Sequence, residues 1–303
     1  MFAVLATAIL TRAPKWMGDF DQSFYLTIAY DIDRYGVFSN AIFDQVNSVD
    51  APPPPGMFIA PLYPWLVLAA QKVDPRFASA AKCSVEAIHD RRDRAECEDY
   101  ALPMHLIHAL LLAIGALAVG RTAELIFGGR ATFWLAGTFA TAALVPDSEL
   151  FSFVMTESLT FSLFCLTMLA LVKSWITARW QHFALAGLLL GLLCLTRTSF
   201  LVLAPVLVAL ILVNARITYS SPGIRAPAWQ GAVAFALCFG LMVVPWAIRN
   251  SISVGKFAMT EEYGSAAIVE RFAFNTMTPQ EYGLAFPYCL PVVGPCLVAA
   301  TVG

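Results

Sequence analysis

Between Glu157 and Glu261 the chain carries no Asp or Glu, and most of that stretch is apolar. A helix needs about 20 mostly apolar residues to cross a hydrocarbon core of about 30 Å. Windows near or beyond that length are Leu102 to Phe127, Ala131 to Val145, Thr156 to Ile176, His182 to Val213 and Trp229 to Ile248. The His182 to Val213 window is too long for one span of ordinary tilt, and Thr196-Arg197-Thr198-Ser199 breaks it. Two helices joined by a tight turn are predicted there. With 59% apolar and 13% charged residues and a mean hydropathy of +0.69, the chain lies far from the soluble profile of about a quarter charged residues. The expected fold is all-α, a polytopic helical membrane protein of about seven spans.

The first of these, Met1 to Leu10, is apolar but only about half the length that a bilayer requires. No basic residue precedes it, which argues against a signal peptide. The expectation is a first helix lacking its cytoplasmic half. The whole chain, 1–303, reads as one membrane domain, the N-terminal part of a longer fold.

The charge is concentrated elsewhere. Thirteen of the 21 acids fall between Lys15 and Tyr100, inside a long loop, 13–101, where eight bases leave a net charge of about five negative. Arg121 with Arg130, Lys173 with Arg179, and Arg216 with Arg225 fall on alternate turns, with Glu124 the one acid nearby. The positive-inside rule puts those turns in the cytoplasm, so the 13–101 loop, the segment from Asp147 to Glu157, the Arg197 turn and the region after Trp246 are extracytoplasmic. The chain's net charge of -2, without a basic stripe interleaved with aromatics, gives no sign of nucleic acid as a partner.

From Asp21 the loop reads as an amphipathic helix, with Phe24, Tyr25, Ile28, Ala29 and Ile32 on one side, Asp31, Asp33 and Arg34 elsewhere, and Gly36 as its end. Ala51-Pro52-Pro53-Pro54-Pro55-Gly56 excludes a helix. It is either a linker or a rigid turn beneath the acidic segment. An interfacial helix follows, with Tyr63 and Trp65 at headgroup depth. Cys83 and Cys97 bracket a polar stretch on the oxidising side, a spacing suited to a disulfide. Cys165, Cys194 and Cys238 lie in spans as apolar filler.

Asp147, Glu149 and Glu157 lie around the outer end of two spans. A carboxylate near bilayer depth is a functional candidate by default, because carrying it to the centre costs roughly 2.5 to 3.5 kcal/mol. A helix cap is the structural alternative for Asp147. Arg197 and Arg249 each either snorkel to headgroups or hold an anion. His105 and His108, at helical spacing, fit interfacial packing better than a metal. Neither a phosphate-cradling loop nor a nucleophile elbow is present.

Taken in order, Gly18-Asp19-Phe20-Asp21 with Tyr25 and Ala29, then Gly36, Pro55-Gly56 to Tyr63-Pro64, Thr156-Glu157-Ser158, Gly187 to Gly191 running into Leu195-Thr196-Arg197, and Pro245-Trp246-x-x-Arg249-Asn250 resemble the GT-C superfamily of membrane glycosyltransferases. The likeness is to the dolichyl-phosphate-mannose-protein mannosyltransferase family and its bacterial aminoarabinose-transferase-like relatives. It implies a helical fold in a bacterial inner membrane, an essential acid in the first extracytoplasmic loop and a polyprenyl-phosphate-linked sugar as donor. Asp21, four residues before Tyr25, matches that acid, with Asp19 the runner-up. Family members usually continue through more spans, whereas this sequence stops at Gly303.

On that resemblance Asp21 takes the proton of an acceptor hydroxyl, Arg197 and Arg249 hold the departing phosphate, and Glu157 or Asp147 orients the sugar. Tyr25 and Tyr63 complete the expected substrate-binding set. The acceptor is a lipid, a glycan or a protein. No cofactor is assigned, and the need for a divalent metal is open. The competing readings are a transporter or lipid flippase and a truncated, inactive glycosyltransferase-like protein. Transporters place ionisable groups near the midplane of repeated, broken helices; here the charges collect on one face and no repeat is visible.

Overall fold

The computed structural model describes residues 1–12, 21–41, 52–89, 96–218, 228–261, 272, 274–281 and 283, and for 89, 214–218 and 228 the backbone alone. Regular structure in these residues is helical throughout. The chain divides into a large unit, Met1–Thr260, and a small one, Glu261–Gly303.

The large unit begins with α1 (Phe2–Thr11), whose following residue Arg12 donates to the carbonyls of Pro146 at 2.8 Å and Val145 at 3.3 Å. The acidic loop then folds as three helices, α2 (Gln22–Tyr35), α3 (Leu62–Val73) and α4 (Pro75–His89). Gly36 ends α2 with φ of 68°, a left-handed value that glycine adopts without a Cβ penalty. At the start of α4, Asp74 accepts from the amides of Arg76 at 2.9 Å and Phe77 at 3.2 Å, and Pro75 fills a first-turn position that needs no N–H. A disulfide joins Cys83 to Cys97.

The remainder is α5 (Leu102–Phe127), α6 (Arg130–Leu144), α7 (Glu157–Thr177), α8 (Trp180–Cys194), α9 (Leu203–Thr218) and α10 (Ala228–Val254). Of these, α5, α7 and α10, the last from Trp229, are long and apolar enough to cross a membrane. α1 and α8, and the stretch Thr198–Val213, are apolar but shorter. The predicted break at Arg197 is a 3-10 turn, Thr198–Val202, between α8 and α9. α5 packs on α6 and α7, α7 on α8, and α8 on α10. The α8–α10 contact is close because glycines sit in it: an ideal Cβ at Gly187 would lie 2.1 Å from the Phe235 carbonyl oxygen.

The small unit contains a capping box. Thr278 Oγ1 accepts from the Glu281 amide at 3.3 Å, and the Glu281 carboxylate accepts from the Thr278 amide at 2.7 Å.

Candidate functional site

The starts of α5 and α7, the ends of α8 and α10, and the folded acidic loop meet at one end of the bundle, hereafter the loop end. Leu62 at the start of α3 donates its N–H to Leu195 O just past α8, at 2.9 Å. Asp21 is the residue preceding α2 and is half-buried, its carbonyl accepting from the Phe24 amide at 3.1 Å. Its neighbour Gln22 is 1% exposed and its Oε1 accepts from Val154 N–H at 2.8 Å. That single amide fixes the beginning of α2 to the segment that leads into α7. Asp19 lies outside the described residues.

Glu157 is the first residue of α7, where the unpaired N–H groups and the helix dipole favour a carboxylate. Its Oε1 accepts from Arg197 Nη2 at 3.1 Å, while its Oε2 is buried with no hydrogen-bond partner among the described residues. The two side chains are 17% and 48% exposed. The acid and the base that the sequence placed on the same face are thus in direct contact, 40 residues apart. An ion pair this exposed contributes at most about 1 kcal/mol to folding. Of the five N–H donors of a guanidinium, one from Arg197 goes to Glu157, so the group retains capacity for an anion.

Arg249 binds the protein's own backbone. It donates to Phe38 O at 3.0 Å, to Gly56 O, and to Asn250 Oδ1 at 3.0 Å, with its guanidinium over the rings of Trp246 and Phe38. These bonds hold two strands of the acidic loop against α10. The loop is further knotted there, because Gly56 N–H donates to Phe38 O at 2.7 Å and Asn40 Oδ1 accepts from Met57 and Phe58 amides at 2.7 and 2.8 Å. On the adjacent face of α10, Trp246 Nε1 donates to Met259 O at 2.8 Å and Asn250 Nδ2 to Ala258 O at 2.8 Å. The Pro245-Trp246-x-x-Arg249-Asn250 stretch is therefore a backbone clamp, in which three of Arg249's five N–H donors go to two carbonyls and an amide oxygen.

Tyr63 is fully buried, and its hydroxyl lies 2.8 Å from His108 Nε2. Because His108 Nδ1 lies 2.8 Å from the Phe151 carbonyl, which only accepts, Nδ1 carries the proton and Nε2 accepts from Tyr63. His105 Nε2 likewise donates to Ser152 O at 2.9 Å. The histidine pair pins the 3-10 turn Leu150–Ser152 to α5, which is the packing role its spacing suggested. Tyr25 is buried with its ring edge-on to Tyr63 at 4.8 Å. Trp65 is exposed.

Asp147 is exposed in the turn after α6, and Glu149 is exposed beside it. Asp31, read from the sequence as lying away from the apolar side of α2, is buried, with Ser39 Oγ donating to its Oδ2. Asn250 was named only as the end of its motif, and Gln22 and Asn40 were given no role. Asn250 had a visible signal in its four-residue spacing from Trp246; the other two gave none, since their partners are 17 and 132 residues away. Among the described residues no three or more His, Cys, Asp or Glu side chains gather as metal ligands.

The arrangement offers a half-buried carboxylate at Asp21 and a partly exposed guanidinium at Arg197 steadied by Glu157, both at the loop end. No protein-family model, curated protein or solved structure matches this chain.

Proposed function

We propose that this protein is an integral membrane glycosyltransferase of the GT-C type, moving a sugar from a polyprenyl-phosphate donor to an acceptor hydroxyl on the extracytoplasmic face. The observation that carries the reading is the joining of distant segments at the loop end: Gln22 fixes the Asp21 turn to Val154, and Arg197 reaches Glu157, three residues further on. The Cys83–Cys97 bond supports an oxidising, extracytoplasmic location for that end.

The sugar on a lipid phosphate is already activated. The acceptor oxygen attacks the anomeric carbon from the face opposite the phosphate, the carbon–oxygen bond to phosphate breaks, and the configuration inverts. Asp21 takes the acceptor's proton. Arg197 binds the phosphate by charge-assisted hydrogen bonds that strengthen as charge develops on it, and Glu157 holds Arg197 in place. Arg249 acts at one remove, keeping the loop that bears Asp21 seated on α10.

The test is sugar transfer from a polyprenyl-phosphate donor in membranes containing the full-length protein. Asp21→Asn keeps shape and removes basicity, and is expected to lower the rate about 10²- to 10⁴-fold. Wild-type transfer by that variant would remove Asp21 from the role. Movement of a lipid-linked substrate across the bilayer without any transfer would favour the flippase reading instead.

A further inference from the structure

The chain reverses after α10, and residues 255–260 return against it as a strap. Two side chains of α10 hold the strap by its backbone. Trp246 Nε1 donates to Met259 O at 2.8 Å, and Asn250, 0% exposed, donates from Nδ2 to Ala258 O at 2.8 Å and Met259 O at 3.0 Å. The Met259 side chain is buried in the same apolar cluster as Leu190 of α8 and Val243 of α10. Thr260 comes next, and its hydroxyl and that of Thr198 are hydrogen-bonded at 3.1 Å across 62 residues of chain.

Thr198 is the neighbour of Arg197, which gives that bond its consequence. On the other side of Arg197, the Leu195 carbonyl accepts from Leu62 N–H of the acidic loop at 2.9 Å. Arg197 thus stands between two anchored residues. Each residue has only two soft backbone dihedrals, so holding Leu195 and Thr198 confines the Arg197 backbone, which is extended at φ -144° and ψ 115°. Glu157 then steadies the far end of the side chain from α7. The two anchors differ in kind. The one at Leu195 is backbone on both sides, whereas the one at Thr198 is made of two side chains and depends on residue identity. Asn250 serves both: its Oδ1 accepts at 3.0 Å from Arg249, which holds the acidic loop at Phe38 and Gly56, while its Nδ2 holds the strap.

We propose that Thr198 and Thr260 are positioning residues for Arg197, and that the strap held by Trp246 and Asn250 sets where its guanidinium meets a lipid-borne phosphate. The proposal rests on the phosphate role given to Arg197 above, and not on Asp21 or on the transfer step. A guanidinium moved by about 1 Å loses aligned hydrogen bonds to the phosphate.

The experiment is equilibrium binding to the full chain in nanodiscs, with decaprenyl phosphate and decaprenol as probes. The ratio of the two affinities reads the phosphate alone. Wild type is expected to favour the phosphate by about tenfold or more, the worth of one hydrogen bond to a charged group, and Arg197→Gln to lose that preference. Thr260→Val and Thr198→Val are expected to lose it too while binding decaprenol as wild type does. Thr260→Ser, which retains the hydroxyl, is expected to keep it. A bond that only supports the fold would lower both affinities together, and a thermal melt checks that each variant folds. Should Thr260→Val not fold, Thr198→Val carries the test. Preference kept by the folded valine variants but lost in Arg197→Gln would overturn the positioning role and leave the phosphate role of Arg197 standing. Preference kept by Arg197→Gln, or absent from wild type, would overturn both. The expected pattern in a protein that transfers no sugar would support the positioning role and overturn the transfer.

Discussion

The acidic loop and the apolar helices solve the packing problem in opposite ways. In the loop, α2, α3 and α4 turn most of their charge outward and bury Tyr25, Leu26, Ile28, Tyr63, Val67, Phe77 and Val85 in an apolar cluster that continues into Met104 of α5, Leu159 of α7 and Leu190 of α8. The apolar helices instead leave Trp134, Leu135, Phe139, Leu237 and Ile252 exposed. Their closest contact depends on the smallness of Gly187, Gly191 and Gly231. Where hydrocarbon surrounds a helix, apolar side chains gain little by turning inward, and close backbone approach through small residues becomes the source of cohesion. Loop and helices join through that shared cluster and through directed polar bonds: Arg249 to Phe38 and Gly56, Gln22 to Val154, and Leu62 to Leu195.

The sharpest way to break that contrast is at the glycines. Gly187→Leu must displace the Phe235 carbonyl, since even its Cβ would lie 2.1 Å from that oxygen, and is expected to cost about 3 kcal/mol or more. Loss of the monodisperse peak in size-exclusion chromatography and a lowered melting temperature would show it. A variant that melts like wild type would mean that the α8–α10 contact is not close.

Next in size is the disulfide. Cys83 and Cys97 are 14 residues apart, and closing a loop of that length is worth about 3 kcal/mol in the chain-entropy model. Reduction, or Cys83→Ser, is expected to loosen α4 while leaving α5, α7 and α10 protected, as read by hydrogen exchange. Uniform loss of protection would show that loop and helices unfold as one.

The two arginines separate the clamp from the site. Arg249→Met strands the Gly56 carbonyl and leaves Phe38 O with only the Gly56 amide as donor, and is expected to lower stability by about 2 kcal/mol. Arg197→Gln removes a half-exposed pair and is expected to move stability by less than about 1 kcal/mol, while the proposed transfer is lost. Equal effects of both on a thermal melt would refute the division of labour.

The smallest effect is one of pH at the start of α4. Burial raises the Asp74 carboxyl's pKa, but the Phe77 amide, the Tyr100 hydroxyl, the Arg76 amide and the Arg76 charge outweigh it, and the net position is below the ordinary carboxylate value. A carboxylate so lowered contributes stability above its unfolded pKa and loses it as pH falls through the folded one. The Arg76 and Phe77 amides are thus expected to gain exchange only below the usual carboxylate range. Exchange that rises instead between pH 6 and 8, once corrected for its intrinsic pH dependence, would point to another group.

Much of this organisation is legible in the chain because it rests on local pattern. Gly36 ends α2 and Arg197 marks the break between α8 and α9, each where turn chemistry or a polar interruption predicted it. The gathering of Glu157 with Arg197 was also foreseen as a shared face, since alternation of spans brings every second turn to the same end. The fate of Arg249, Tyr63 and Asp31 was not legible. A buried Asp and an exposed one look alike until Ser39 folds back to donate, and an arginine facing a carboxylate looks like one bonded to backbone carbonyls.

The sequence alone therefore determined most of the helical segments, though not α4, which segments are apolar and which turns share an end, because hydrophobic periodicity and breaker residues act over a few neighbouring positions. Only the tertiary structure decided how the polar groups at that end are used, because each hydrogen bond is chosen from partners as far apart as Phe38 and Arg249, 211 residues along the chain. That choice depends on distance and burial, which no local pattern encodes.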